Sequence, residues 1–94
     1  MKYKIEITQQ DIWRGKPGGS VCPIAWAMKR ALGNCFSHVD FEWTDVRHKT
    51  AAGVAHRIKL PYKAQTFIER FENPSDSGNK RIVKPFSFIL TIPE

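Results

Sequence analysis

The sequence predicts an α+β fold: a small two-layer domain, with a mostly antiparallel sheet of four to five strands and two helices on one face, in the order β-α-β-β-β-α-β. Apolar and polar residues alternate with a period of two in four separate stretches, near residues 3–8, 39–44, 54–60 and 86–92. A period of 3.6 governs two others, 23–32 and 62–71.

In "YKIEIT", Tyr3, Ile5 and Ile7 share one face and Lys4, Glu6 and Thr8 the other, the pattern of a half-buried strand. Thr8 is placed to cap a short turn over "QQDIW", and "RGKPGGS" then interrupts regular structure. The first long helix runs from Pro23 to Leu32. Pro23 suits the first helical position, Cys22 or Ser20 the cap, and Gly33-Asn34 the stop. Ile24, Ala27, Met28, Ala31 and Leu32 form its core stripe.

Next, "VDFEW" sets Val39, Phe41 and Trp43 against Asp40, Glu42 and Thr44; residues 36–48 form either one strand or two. "TDVRHKTAAGVAHRIKL" reads as a hairpin turning near Ala51-Ala52-Gly53, with Val54, His56, Ile58 and Leu60 on one face of its return strand. Pro61 opens the second helix, "YKAQTFIERFE", with Ala64, Phe67, Ile68 and Phe71 inward and Lys63, Glu69 and Arg70 outside. After the polar loop "NPSDSGNK", a last strand carries Phe86, Phe88, Leu90 and Ile92 on one face.

Ninety-four residues hold one domain, 1–94, and 41% hydrophobic with 26% charged residues excludes a disordered chain. No apolar run reaches the roughly 18 residues of a membrane span, and the opening residues lack the apolar core of a signal peptide. A cytoplasmic location is expected, in which Cys22 and Cys35 are free thiols. They lie 13 residues apart across a helix of about 15 Å, an awkward geometry for one disulfide. Fifteen Lys and Arg against nine Asp and Glu give a net charge of +6, suited to nucleic acid, nucleotides or acidic protein patches.

Cys22-Pro23-Ile24-Ala25 followed by Ala27, with Ile7-Thr8 and Asp11-Ile12 before it, resembles a helix start and opening found in small proteins of tailed phages. Leu60-Pro61, Ala64, Phe67-Ile68, Phe71, Val83, Pro85-Phe86 and Phe88 extend the resemblance over most of the chain as short matches. The chain departs from that pattern in a longer loop, residues 73–81. The resemblance implies a phage accessory protein that counters host defence by binding, in the cytoplasm of the host cell, and it carries over no catalytic residue.

Several residues invite a role. Helix N-termini attract anions; here Gly18, Gly19 and Ser20 precede one, and Arg14 and Lys16 add charge. The sequence has neither the Gly-Lys-Ser/Thr of a Walker loop nor GxGxxG, and a plain flexible loop is the alternative. Trp26 lies opposite the core stripe beside Lys29 and Arg30, where it could stack on a base, anchor a protein partner, or lie under the 9–19 loop. The resemblance implies an apolar residue there, which points to a cover of some kind. A second copy of the chain is another cover, so a homodimer is among the expectations.

Cys22 sits where a helix dipole would favour thiolate, yet no cysteine-enzyme signature surrounds it, and a buried packing thiol is the alternative. His56, on an apolar face, reads as a hydrogen-bonded core or sheet-edge residue. Cys35 and His38 have ligand spacing without a second half, so no metal is expected, nor any cofactor. Asp40, Glu42 and Asp45 fit a solvated strand face or a charged sheet edge.

The sequence thus leads to a non-enzymatic binding protein whose ligand is anionic, a nucleotide-like signal or nucleic acid. Its site would be Arg14, Lys16, Gly18, Gly19, Ser20, Trp26 and Arg30. An inhibitor that binds a host protein through Trp26 is the alternative, and a cysteine-dependent enzyme the third.

Overall fold

The computed structural model describes residues 2–33, 36–47, 55–73 and 78–92. These form β1 (Lys2–Ile7), α1 (Gln9–Arg14), α2 (Pro23–Leu32), β2 (Phe36–Val39), β3 (Trp43–Arg47), β4 (Ala55–Lys59), α3 (Tyr62–Glu72) and β5 (Phe86–Thr91). The α+β class holds, with two corrections of detail. The strands make two antiparallel sheets, β1-β5 and β2-β3-β4, in place of one sheet of four to five strands. The described residues also hold three helices, where the sequence suggested two. Alternation specifies which face of a strand is buried and is silent about its neighbours, so the division into sheets was not in the pattern.

The extra helix, α1, has a local cause. The Thr8 hydroxyl accepts the Asp11 N–H, and the Asp11 carboxylate accepts the Thr8 N–H, a reciprocal capping box. One and a half turns do not stand alone in water. Fully buried Ile12 and the ion pair of Asp11 with Arg30 of α2 hold α1 in place. In α2, Pro23 takes the first helical position, the Cys22 sulfur accepts the Ala25 N–H, and Gly33 ends the helix. Ile24, Ala27, Met28 and Leu32 are buried as the stripe requires, but Ala31 is exposed, and Pro23 and Ala25 are buried instead.

Residues 36–47 form two strands. A bend at Phe41-Glu42, closed by the Asp40 N–H donating to the Trp43 carbonyl, separates them and shifts the phase. Phe41 is therefore 45% exposed, while Thr44 and Val46 face inward. The buried Thr44 hydroxyl donates to the His38 carbonyl. β3 and β4 pair antiparallel from Trp43↔Lys59 to Arg47↔Ala55, as the hairpin reading requires. Its turn at 51–53 lies outside the described residues, as do Val54, Asn34, Cys35 and His48.

Ile5 and Ile7 of β1, Ile24 and Met28 of α2, Val46 of β3, Phe71 of α3 and Leu90 of β5 meet in one core. Among the described residues, no helix is long and apolar enough to cross a membrane.

Candidate anion-binding site

The loop before α2 is built from its own hydrogen bonds. The Val21 and Cys22 N–H groups donate to the Gly18 carbonyl, and the Lys16 N–H donates to the Val21 carbonyl. The Gly19 carbonyl accepts the Val39 N–H, which docks the loop on β2. A Cβ at Gly19 would overlap the His38 ring, so a glycine is required by close approach. The Gly18 N–H donates at 3.0 Å to a carboxylate of the chain itself, Glu72 of α3. Pro23 has no N–H, and the Ala25 N–H donates to the Cys22 sulfur. The Gly18, Val21, Cys22 and Ala25 N–H groups at this junction are thus engaged within the chain.

The cations assigned to that junction separate into two settings. Arg30 grips Asp11 in a bidentate pair, at 2.9 and 2.7 Å, and also donates to the Glu6 carbonyl at 2.7 Å. Asp11 is 1% exposed and Arg30 52%. Burial pushes the Asp11 carboxyl up, but the Arg30 guanidinium and the Thr8 N–H outweigh it and hold the carboxyl below its ordinary value. Arg14, by contrast, lies over the Trp26 ring with its guanidinium carbon 4.3 Å from the centroid, and the Lys29 ammonium lies 4.9 Å away. Both side chains contribute to the cover of Trp26. Its indole N–H is buried with no acceptor among the described residues. Lys29 also donates to the Ser20 carbonyl, while the Lys16 and Ser20 side chains face solvent.

Cys22 is buried, and that burial, with the Glu72 carboxylate adding to it, pushes its thiol up to about 11. Desolvation outweighs the helix dipole that would favour thiolate, which leaves a packing residue. On the far sheet, Asp40 accepts from His38 at 2.9 Å and from Arg57 at 2.8 Å, and Arg57 also reaches Asp45. That network accounts for two of the three acidic strand residues. Among the described residues no group of His, Cys, Asp and Glu could hold a metal.

The concave surface with free charge lies elsewhere, between α3 and the segment that leads into β5. Lys63, Thr66, Phe67 and Arg70 recur at i, i+3, i+4 and i+7, so α3 presents them along one side. Opposite run Ile82, Val83 and Lys84. Together they enclose a groove of about 380 Å³. Buried Phe67 and Val83 and half-buried Phe86 make an apolar floor. The Phe67 and Phe86 rings stand 5.0 Å apart. Lys63, Arg70 and Lys84 are exposed cations on the rim, and among the described residues their side chains have no ion pair and no carboxylate lines the groove.

Asn79 and Lys80 hold the far wall in place. The Asn79 N–H donates to the Phe71 carbonyl, and its side-chain amide donates to the carbonyls of Arg70 and Asn73. The Lys80 ammonium donates to the carbonyls of Trp13 and Gly15, tying the segment to α1. Gly78, at φ +96°, passes so close over Phe71 that a Cβ would overlap the ring. A second groove of about 340 Å³ adjoins the first through Ile82 and is lined by Trp13, Lys80 and Arg81.

Sequence reasoning noticed Lys63 and Arg70 only as residues outside a core stripe. The signal was present: Lys63, Thr66 and Arg70 fall on one helical edge, and "KRIVK", residues 80–84, packs three cations into five positions. What neither pattern reveals is that Asn79 folds the second stretch against the first. Comparison with protein-family models, curated proteins and solved structures finds no match to this chain.

Proposed function

We propose that the protein is a non-enzymatic binding protein whose ligand carries phosphate groups, a nucleotide or a nucleic acid, held in the α3 groove. One observation carries this reading: among the described residues, three rim cations with no ion pair surround an apolar, partly aromatic floor, and no carboxylate lines it. Phosphates meet the rim, and a base or sugar meets the floor. The net charge of +6 draws such ligands from solution. The phage accessory role implied by the sequence resemblance, capture of a nucleotide signal or nucleic acid during host defence, belongs to the same reading.

Fluorescence anisotropy with labelled nucleotides and oligonucleotides tests it. Three phosphate contacts on a single strand predict that log K falls against log salt with a slope of about −2. The double variant Lys63→Glu/Arg70→Glu should abolish binding while unfolding at the temperature of the parent protein. Binding that survives the double variant with the same salt slope would place the ligand elsewhere.

A further inference from the structure

We infer that the ligand is a single-stranded polynucleotide whose path continues out of the α3 groove, over Ile82, and onto Trp13. This extends the reading above and rests on it. The two grooves share Ile82 as a lining residue, so they adjoin on the side of the molecule that holds α3 and Trp13 of α1. Cationic and apolar groups interleave along these grooves. Arg70, Lys84 and Arg81 present charge, while Phe86, Ile82 and Trp13 present apolar or aromatic surface.

Two of these apolar side chains are strongly exposed, Trp13 at 54% and Ile82 at 59%. Phe41, Tyr62 and Ile89 are also exposed, but Trp13 and Ile82 are set beside cations in adjoining grooves. Alternating charge and aromatic surface is the chemistry that holds a single strand, whose phosphates track the cations while unstacked bases lie on the rings. A duplex would offer the cations its phosphates but keep its bases stacked away from Trp13 and Ile82. An acidic peptide would satisfy the rim charges without a flat surface for the exposed indole.

Trp13 is held ready for this role without being consumed by it. Its carbonyl accepts the Lys80 ammonium at 2.6 Å, which anchors the backbone and leaves the ring outward. Trp13→Ala therefore removes the ring and keeps the anchor.

Binding of the full chain to a dinucleotide, a tetranucleotide and an octanucleotide, as DNA and as RNA, provides the test. The expected result is tighter binding with length, beyond what added charge supplies. Trp13→Ala should then weaken the octanucleotide roughly 5–100-fold, spare the dinucleotide, and leave the salt slope unchanged. Trp13→Phe should restore much of the loss, and the thermal midpoints of both variants should match the parent protein. Comparing the DNA and RNA arms then identifies the natural strand. If the dinucleotide binds and is lost in Lys63→Glu/Arg70→Glu, but length and Trp13→Ala have no effect, the extended path is overturned and the groove reading stands. Equal affinity for a duplex, or for an acidic peptide, with Trp13→Ala silent also overturns it. Failure of every oligonucleotide and nucleotide to bind overturns both readings.

Discussion

Replacing Arg30 by methionine should reveal how α1 is held. Asp11 is 1% exposed and takes two guanidinium hydrogen bonds, at 2.7 and 2.9 Å. Removing one partner of a fully buried pair costs about 3–5 kcal/mol. Arg30 keeps 52% of its side-chain surface in solvent, which weakens the attraction, so about 2–4 kcal/mol is expected. In a domain of this size that lowers the thermal midpoint by roughly 10–20 °C. Asp11→Asn should cost less, about 1–2 kcal/mol, because it leaves a cation that water can solvate and an amide oxygen that still accepts the Thr8 N–H.

The pH dependence carries the sharper test. In the parent protein the folded Asp11 pKa lies below its unfolded value of about 3.9, so the stabilisation is present above that pH and is lost as pH falls through the folded pKa. Without Arg30, burial, the largest single influence on this carboxyl, is opposed only by the Thr8 hydrogen bonds, and the folded pKa rises. The loss of stability on acidification should then be smaller in the variant than in the parent protein. Urea titrations across the acid range should show the Arg30→Met deficit shrinking from about pH 7 to about pH 3.5. Asp11→Asn/Arg30→Met should be more stable than Arg30→Met at neutral pH. A deficit independent of pH, or an Asp11→Asn cost equal to that of Arg30→Met, would refute this account of the pair.

Cys22, with its thiol pushed up to about 11, has roughly one part in ten thousand as thiolate at pH 7. Iodoacetamide should leave it unmodified in the folded protein and label it in urea, as mass spectrometry of the peptide containing Cys22 would show. Gly19→Ala should cost about 1–3 kcal/mol, since its Cβ would overlap the His38 ring. Combining it with His38→Ala should recover most of that loss in denaturant titrations.

The secondary structure was legible where one face of an element is buried and the other solvated. Phe67, Ile68 and Phe71 in α3, and Phe88 and Leu90 in β5, occupy the core face their spacing assigns. The reading slipped at Phe41, because a two-residue bend reverses the inward phase and leaves no mark on an alternating pattern. It also treated Arg30 as a free surface cation, although Asp11, 19 residues earlier, captures it; charge composition does not register pairing across elements. The glycine loop looked ready for an outside anion, yet Glu72, 54 residues later, supplies the carboxylate. For Arg30 and the glycine loop the local chemistry was visible, and only the distant partner was not.

The pairing of β1 with β5, from Lys2↔Thr91 to Ile7↔Phe86, governs when the domain can assemble. β1 is made before its partner, which lies some eighty residues later and follows α3. Until then the buried faces of Ile5 and Ile7 lack their sheet, and α2 packs against an unpaired strand. Pairing across so long a loop offsets its closure entropy only when β5 docks, so this sheet should form late in folding. Substitutions in β5 such as Phe88→Ala should leave nascent chains with a loose first strand, prone to pair with other chains.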